Sequence, residues 1–274
     1  MKAPYIAVLF CTVFVFSTQA QDLSKTPVEL HYSDSFAIKN QDAIWLAQYD
    51  MIAWITSDSV VKHSKDTALM KRLGKEWFCY EKNNEWHAIY GNNKTGSYDQ
   101  VFHFVIKRDG SIQQSQEKID TNMAQRYSRA ISLAVNYFNS RYQSLRDYRY
   151  NSYVRSIRND TLQVFLFPAI QPSNGLAMYG DEENYIIDPS GTNIVRDISY
   201  HQDEIKGYKP DRNDGILLLN LNQGEPTVGA LFFVWNYKRL FKNIAIKNKN
   251  SFSFLVPKDG KLTWALIPQN APNK

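Results

Sequence analysis

The chain has 274 residues, of which 43% are apolar and 22% charged, with a formal net charge of +5 at pH 7. At this length a hydrophobic core can hold the fold without cross-links, because the fraction of surface buried on folding rises with chain length. The excess of positive charge is too small to indicate a polyanionic partner, so we expect no nucleic acid to bind.

The first twenty residues, MKAPYIAVLFCTVFVFSTQA, are typical of a cleaved export signal. An apolar run of twelve residues, 5–16, is followed by small residues at the outer positions of a signal-peptidase site. A retained membrane anchor needs ~20 apolar residues to cross the bilayer, which is longer than this run. Cys11 lies inside the run and not after it, which argues against lipid attachment. We therefore predict a secreted or periplasmic protein, cleaved after Ala20 and without a transmembrane segment in the mature chain.

Removing the signal leaves one cysteine, Cys79, so the mature chain cannot form an intramolecular disulfide. No Gly/Ser/Pro-rich linker divides the remaining residues, 21–274, and we predict that they form a single compact domain. Its first part, to about residue 158, is rich in helical patterns, and residues 160–270 are rich in strand patterns.

The mature chain opens with an irregular segment and two helices. Residues 22–41 predict a loosely attached arm or an edge strand, because polar residues and a proline are scattered through them. Asp42 suits the N-cap of a first helix, whose apolar residues then recur at helical spacing. A second helix is predicted to begin near Asp66 and to carry Trp77 on its inner side.

Two hairpins follow, where the hydrophobic period shifts from 3.6 to 2. WFCYEKNNEWHAIYG is predicted to turn at Asn83-Asn84, because asparagine tolerates the positive φ that such turns require. VFHFVIKRDGSIQQSQ is predicted to turn at Asp109-Gly110.

A long amphipathic helix is predicted from Thr121, with an apolar stripe that can be followed to Leu145. Continued further, the stripe would bury the guanidinium of Arg149, so we expect the helix to break or kink near Asp147. Residues 150–157 then predict a second, rotated helical stripe built on two tyrosines. The tyrosines of this region would pack, and its arginines would lie on the solvent side.

The second half predicts a mainly antiparallel sheet. Two of its runs, ILLLNL and ALFFVW, barely alternate and are expected to be central strands covered on both faces. Helices followed by runs of strands predict an α+β fold rather than a doubly wound parallel sheet. The predicted strands are TLQVFLF, GLAMY, NYIID, NIVRDIS, GILLLNL, VGALFFVW, SFSFLV and LTWALIP, with turns at IDPSGTNI and VPKDGKL.

Cys79 and His87 are the most obvious candidates for a nucleophile and its base. The predicted hairpin sets Cys79 opposite Ala88 and Tyr80 opposite His87, so the two candidates lie on opposite faces of the sheet. A three-residue loop would reverse this arrangement. We predict a buried, inert cysteine.

His103 is predicted to lie opposite Gln116 and to face solvent together with Lys107 and Gln114, with Phe102, Phe104 and Ile106 on the other face. It is therefore not an expected ligand.

His201, Asp203 and Glu204 form a small cluster of metal-ligand types, to which the acidic residues 181–183 could add. A divalent-metal site needs three or more converging ligands, and the sequence shows no second cluster at a recognised spacing. The acidic residues beside Gly180 are more typical of a solvated loop. We expect no metal and no cofactor.

The sequence lacks the HExxH, GxSxG, Walker and GxGxxG patterns, so it identifies no catalytic residue. The leading hypothesis is an exported, non-catalytic binding or envelope-associated module whose partner is a protein, a glycan or another envelope component. The alternative is an exported hydrolase of peptide or glycan, with a site that involves His201 or Cys79 and is assembled only in three dimensions.

Overall fold

The computed structural model describes residues 33–75, 77–94, 97–142, 148–171, 174–213 and 215–269, without the side chains of Asp203 and Glu204. The chain divides into two units, Met1–His31 and Tyr32–Lys274. The first unit lies outside the described residues, and with it the predicted signal and cleavage site. The prediction of one domain over residues 21–274 includes such residues and stays a prediction.

The described residues form a mixed α+β fold, as the sequence predicts, and they contain four α-helices and three β-sheets. No helix in this part of the chain combines the length and apolarity that crossing a membrane requires. The helices are α1 (Asp34–Val61), α2 (Thr67–Met70), α3 (Thr121–Arg141) and α4 (Val228–Tyr237).

Each sheet is built from strands that follow one another in the chain. The first sheet has the order β1 (Trp77–Lys82), β2 (Glu85–Lys94), β3 (Ser97–Ile106) and β4 (Ile112–Gln114). The second has the order β5 (Tyr150–Ser156), β6 (Leu162–Pro168), β7 (Ala177–Ile187) and β8 (Ile194–Asp197), with β9 (Tyr200–Tyr208) paired to β7. The third has the order β10 (Ile216–Asn220), β11 (Asn243–Lys247), β12 (Ser251–Lys258) and β13 (Lys261–Pro268).

Helix α1 begins earlier than the sequence predicts. The hydroxyl of Ser33 accepts a hydrogen bond from the Phe36 N–H at 3.0 Å and caps the helix. The prediction of an arm or edge strand is therefore wrong for residues 34–41, and residues 22–32 lie outside the described part. Asp42 is not an N-cap but lies inside α1, where its carboxylate pairs with Arg155 at 2.6 Å.

Both predicted hairpins form. Asn83 and Asn84 have φ of 56° and 61°, and Cys79 lies opposite Ala88, as predicted. Helix α2 begins after Asp66, as expected, but it ends at Met70, so the prediction that it carries Trp77 is wrong, and Trp77 begins β1.

The second hairpin turns at the predicted place with a register that differs by one residue from the prediction. Phe104 pairs with Gln114, so His103 does not lie opposite Gln116. Because a shift of one residue changes which side chains share a face, the prediction for His103 is wrong in its details.

The segment predicted to form a second helical stripe, 150–157, contains a strand instead. Helix α3 starts at Thr121 as predicted, with Asp120 as its N-cap, and ends at Arg141; residues 143–147, where the kink was predicted, lie outside the described part. Residues 150–156 form β5, which pairs along its whole length with β6. Tyrosine fits a pleated, half-buried surface at least as well as a helix, so the spacing of two tyrosines was a weak helical signal.

The largest error of the sequence prediction concerns VGALFFVW, which forms helix α4 and not a strand. Thr227 caps it by accepting a hydrogen bond from the Ala230 N–H at 3.2 Å. Residues 229–234 are all buried, so the helix has no polar face and no helical period in its sequence. ILLLNL is also not central: it forms β10, at the edge of the third sheet and parallel to β11, with Ile216 68% exposed.

Helices α1 and α4 pack on each other within the larger core, which also takes side chains from all three sheets. Asn40 on α1 links this helix to two tryptophans of other elements through one side-chain oxygen. Its side-chain oxygen accepts hydrogen bonds from the indole N–H of Trp235 at 2.8 Å and of Trp264 at 2.7 Å.

We expect Asn40→Ala to lower the free energy of unfolding by about 2–4 kcal/mol, because it leaves two shielded indole donors without an acceptor. Urea unfolding followed by tryptophan fluorescence measures the change. Asn40→Asp is the matched control, since it keeps an acceptor oxygen in place and should lose less than half as much. A loss below about 0.5 kcal/mol for Asn40→Ala would contradict the assigned role.

Candidate functional site

Cys79 is placed as an inert core residue. It is 0% exposed, its backbone N–H donates to the Tyr49 hydroxyl at 2.8 Å, and burial raises the pKa of its thiol well above the ordinary value. His87 projects from the opposite face, where it stacks on Tyr80 at 4.8 Å between ring centroids. The prediction that Cys79 and His87 do not form a dyad agrees with this geometry.

His103 is buried, and the prediction that it faces solvent is wrong. It is 1% exposed, with Nε2 2.8 Å from Nδ1 of His87 and Nδ1 3.0 Å from the carbonyl oxygen of Glu117. The carbonyl only accepts, so Nδ1 of His103 donates to it. Burial, together with the neighbouring His103, lowers the pKa of His87. The pair is a satisfied structural contact, covered by the segment that follows β4.

His201 comes together with two acidic residues that the sequence places in a loop. Asp181 and Glu183 lie on one face of β7, and Asp181 is the direct partner of His201 on β9. Nδ1 of His201 contacts Asp181 Oδ1, and Nε2 lies 3.1 Å from Glu183 Oε1. We call these three residues the His201 cluster. The expectation of a solvated acidic loop is wrong: Asp181 is 2% and Glu183 0% exposed.

The remaining carboxylate oxygens of the His201 cluster are held by hydroxyl groups. Tyr150 donates to Asp181 Oδ2 at 2.6 Å, and Glu183 Oε2 accepts from Ser199 at 2.7 Å and from Tyr185. The hydrogen bond to Asp181 raises the pKa of His201, and burial raises the pKa of Glu183. Asp203 and Glu204, which the sequence groups with His201, have side chains outside the described residues.

Glu182, between these two acids, points to the other side of β7 and caps helix α4. Its Oε2 accepts from the Gly229 N–H at 2.9 Å, and Oε1 accepts from the Thr227 hydroxyl. A Cβ at Gly229 would lie 2.4 Å from Glu182 Cδ, so this close approach requires glycine. Burial raises the pKa of Glu182 to about 7, although these donors oppose the shift.

A groove of ≈ 640 Å³ lies between helices α1 and α4, with residues at the ends of β5 and β6 completing its wall. We call it the α1–α4 groove. Its wall includes Trp54 and Met51 of α1, whose exposed fractions are 63% and 51%. Other lining residues are Ile44, Ala47, Ile170, Trp235 and Leu240.

The charged groups of the α1–α4 groove are three cations and one carboxylate. Arg149, Lys238 and Arg239 line it, and within the described residues none of them forms a salt bridge. Burial and the neighbouring Arg239 lower the pKa of Lys238, whose ammonium lies 4.1 Å from the ring centroid of Trp235.

Asp50 is the carboxylate of this groove, and both of its oxygens accept hydrogen bonds from neutral donors. Oδ1 accepts from Tyr153 at 2.7 Å and from Asn151 at 3.1 Å, and Oδ2 accepts from Asn236 at 3.0 Å. Asp50 therefore does not require a hydrogen bond from any of the three cations.

The sequence analysis missed the groove, although one signal was present. Met51 and Trp54 are large apolar residues that lie off the buried stripe of the first helix, and such residues mark a second contact surface. Much of the remaining lining comes from α4 and the residues just after it. Because α4 was predicted as a strand, the lining of the groove could not be predicted.

The chain matches no family model, and comparisons with curated proteins and with solved structures find no match either. Its function is therefore argued from the geometry of these two sites.

Glu182 predicts a specific pH dependence. Its pKa of about 7 in the folded protein exceeds the ordinary value of 4.5, so the folded state holds a proton that the unfolded state releases between these pH values. Its contribution to stability therefore rises as pH falls from 8 to 5, by roughly 2–3 kcal/mol. Glu182→Gln removes this contribution. Urea unfolding of both proteins at each pH isolates it, because the contributions of all other titratable groups cancel in the difference between the two free energies of unfolding. Parallel curves for the two proteins would show that Glu182 does not titrate in this range.

Proposed function

We propose that this protein is an exported binding module for an amphiphile with an apolar body and an anionic head, such as a lipid component of the cell envelope. The observation that carries the proposal is the α1–α4 groove, which combines exposed apolar side chains with three cations that form no salt bridge with any described residue. Export itself is supported by the amino-terminal sequence pattern alone.

The apolar part of the groove fits the body of such a ligand. Its volume of ≈ 640 Å³ lies within the ~300–1,000 Å³ range of small-molecule sites. Exposed Trp54 and Met51 would be shielded from water by an acyl chain or ring system, and this burial supplies the favourable free energy.

The cations fit the head of the ligand. Lys238 has a lowered pKa because it is partly buried beside Arg239, and an anion between them would relieve that repulsion. Arg149 lies on the same groove, and Asp50 is already satisfied by neutral donors. Charge complementarity therefore favours an anionic head over a neutral or cationic one.

Binding of dodecanoate and of 1-dodecanol, both below their aggregation limits, tests the proposal. Titration calorimetry and the fluorescence of the groove tryptophans should show dodecanoate binding at least tenfold tighter than the alcohol, which lacks the charge. The double substitution Lys238→Ala with Arg239→Ala should remove this difference, whereas Trp54→Ala should weaken both ligands about tenfold.

Arg196→Ala is the matched control, since it removes an exposed cation from β8, outside the groove lining. It should leave both affinities unchanged. The proposal fails if neither ligand binds at millimolar concentration, or if the double variant still prefers dodecanoate.

A second candidate function is hydrolysis of peptide or glycan, and the His201 cluster favours it. A histidine between two carboxylates is a convergence of titratable groups within mutual reach, as acid–base catalysis requires. If this function is correct, purified protein should cleave peptides or cell-wall glycan fragments, and His201→Gln should abolish the cleavage. Cleavage that survives this substitution, or no cleavage by the wild type across both substrate classes, counts against it.

A further inference from the structure

One oxygen of the His201 cluster has no hydrogen-bonding partner in the part of the chain that the structure describes. Oε1 of Glu183 is buried and, among the described residues, accepts no hydrogen bond, while Oε2 accepts two. Leaving a buried acceptor unsatisfied costs about 1–3 kcal/mol, and more when it is charged. Such an atom in a native fold indicates a missing donor, water or ion.

Nε2 of His201, 3.1 Å from this oxygen, belongs to an imidazole whose orientation suits a metal ligand. Asp181 accepts from Nδ1 of His201, which holds a proton on that nitrogen, so that loss of the other ring proton on metal binding leaves a lone pair on Nε2. A carboxylate that holds the far ring nitrogen in this way is the usual second partner of a metal-binding histidine.

The separation between the two groups fits ligands of one metal ion. Nε2 lies 3.1 Å from Glu183 Oε1 without the geometry of a hydrogen bond. Two ligands that each lie 2.0–2.1 Å from a tetrahedral ion are about 3.3 Å apart, along an edge of the coordination polyhedron. In that arrangement the lone pair of His201 Nε2 points at the ion and not at Glu183 Oε1. This agrees with a short contact between the two atoms that lacks the geometry of a hydrogen bond.

Charge balance also favours a dication. The two buried carboxylates have His201 as their only salt-bridge partner within the described residues, and their other contacts are hydroxyl groups. The nearby cation Arg141 is paired with Asp197. A divalent ion would neutralise both carboxylates, which one imidazole cannot do.

We propose that the His201 cluster binds one divalent transition-metal ion, with His201 Nε2 and Glu183 Oε1 as ligands and Asp181 orienting the imidazole. Zn²⁺ suits this donor set, since imidazole and carboxylate are ligands that it prefers. The His201 side chain is 31% exposed, so water can complete the coordination. This site shares no lining residue with the α1–α4 groove, and the two proposals stand or fall separately.

Chelator-treated protein without an affinity tag, titrated with Zn²⁺ by calorimetry and with Co²⁺ by visible absorption, tests the site. We expect one ion per chain with micromolar affinity. Substituting a ligand, His201→Gln or Glu183→Gln, should weaken binding at least a hundredfold and remove the Co²⁺ bands. Asp181→Asn should weaken binding 10–100-fold, because it loosens the ring without removing a ligand.

His63→Gln is the matched control for adventitious binding by a histidine and should leave stoichiometry and affinity unchanged. Zn²⁺ should also raise the melting temperature of the wild type and not that of His201→Gln. If Glu183→Gln does not fold, the test uses His201→Gln alone. This variant is expected to fold, because the His201 side chain is partly exposed. Unchanged binding in His201→Gln, or no binding by the wild type at 100-fold excess of Zn²⁺, overturns the proposal and leaves an imidazolium held between two carboxylates.

Discussion

Three consecutive buried carboxylates in β7 are the constraint on which much of the fold depends. Asp181, Glu182 and Glu183 are 2%, 6% and 0% exposed, and a buried carboxylate is tolerated only when donors surround it. Strand alternation sends the central acid to one side of the sheet and its neighbours to the other. Partners must therefore come from both sides, and they come from different parts of the chain: the N-terminus of α4 for Glu182, and β5, β9 and the residue before β9 for the others.

The position of α4, and with it the groove, follows from this arrangement. The positive end of the helix dipole and the Gly229 N–H meet the carboxylate of Glu182, which fixes where α4 starts. The other end of α4 supplies Trp235 and Asn236 to the groove, and the residues just after it supply two of the three cations, Lys238 and Arg239. Asn40 holds Trp235 from the side of α1. The groove is thus bounded by a helix that is fixed at its start and held against its neighbour.

What the sequence could predict was what short-range physics decides. The Asn83-Asn84 turn, the start of α3 and the opposite faces of Cys79 and His87 depend on a few neighbouring residues, and these predictions agree with the structure. The failures concern long-range burial. An apolar run such as that of α4 has the same pattern in a buried helix and in a buried strand, and Glu182, whose carboxylate meets the helix N-terminus, lies 47 residues away from Gly229 in the sequence.

The same distinction between short-range and long-range contacts explains which parts of the candidate sites could be predicted. Asp181 and Glu183 alternate in the sequence and so share a face of any strand, but the sequence could not show that His201 lies opposite them, because β9 was not predicted. The α1–α4 groove has the volume for an organic ligand, and its lining residues contain no comparable cluster of histidine and carboxylates. An ion for the cluster and an amphiphile for the groove are therefore separate ligands, each matched to the chemistry of its own site.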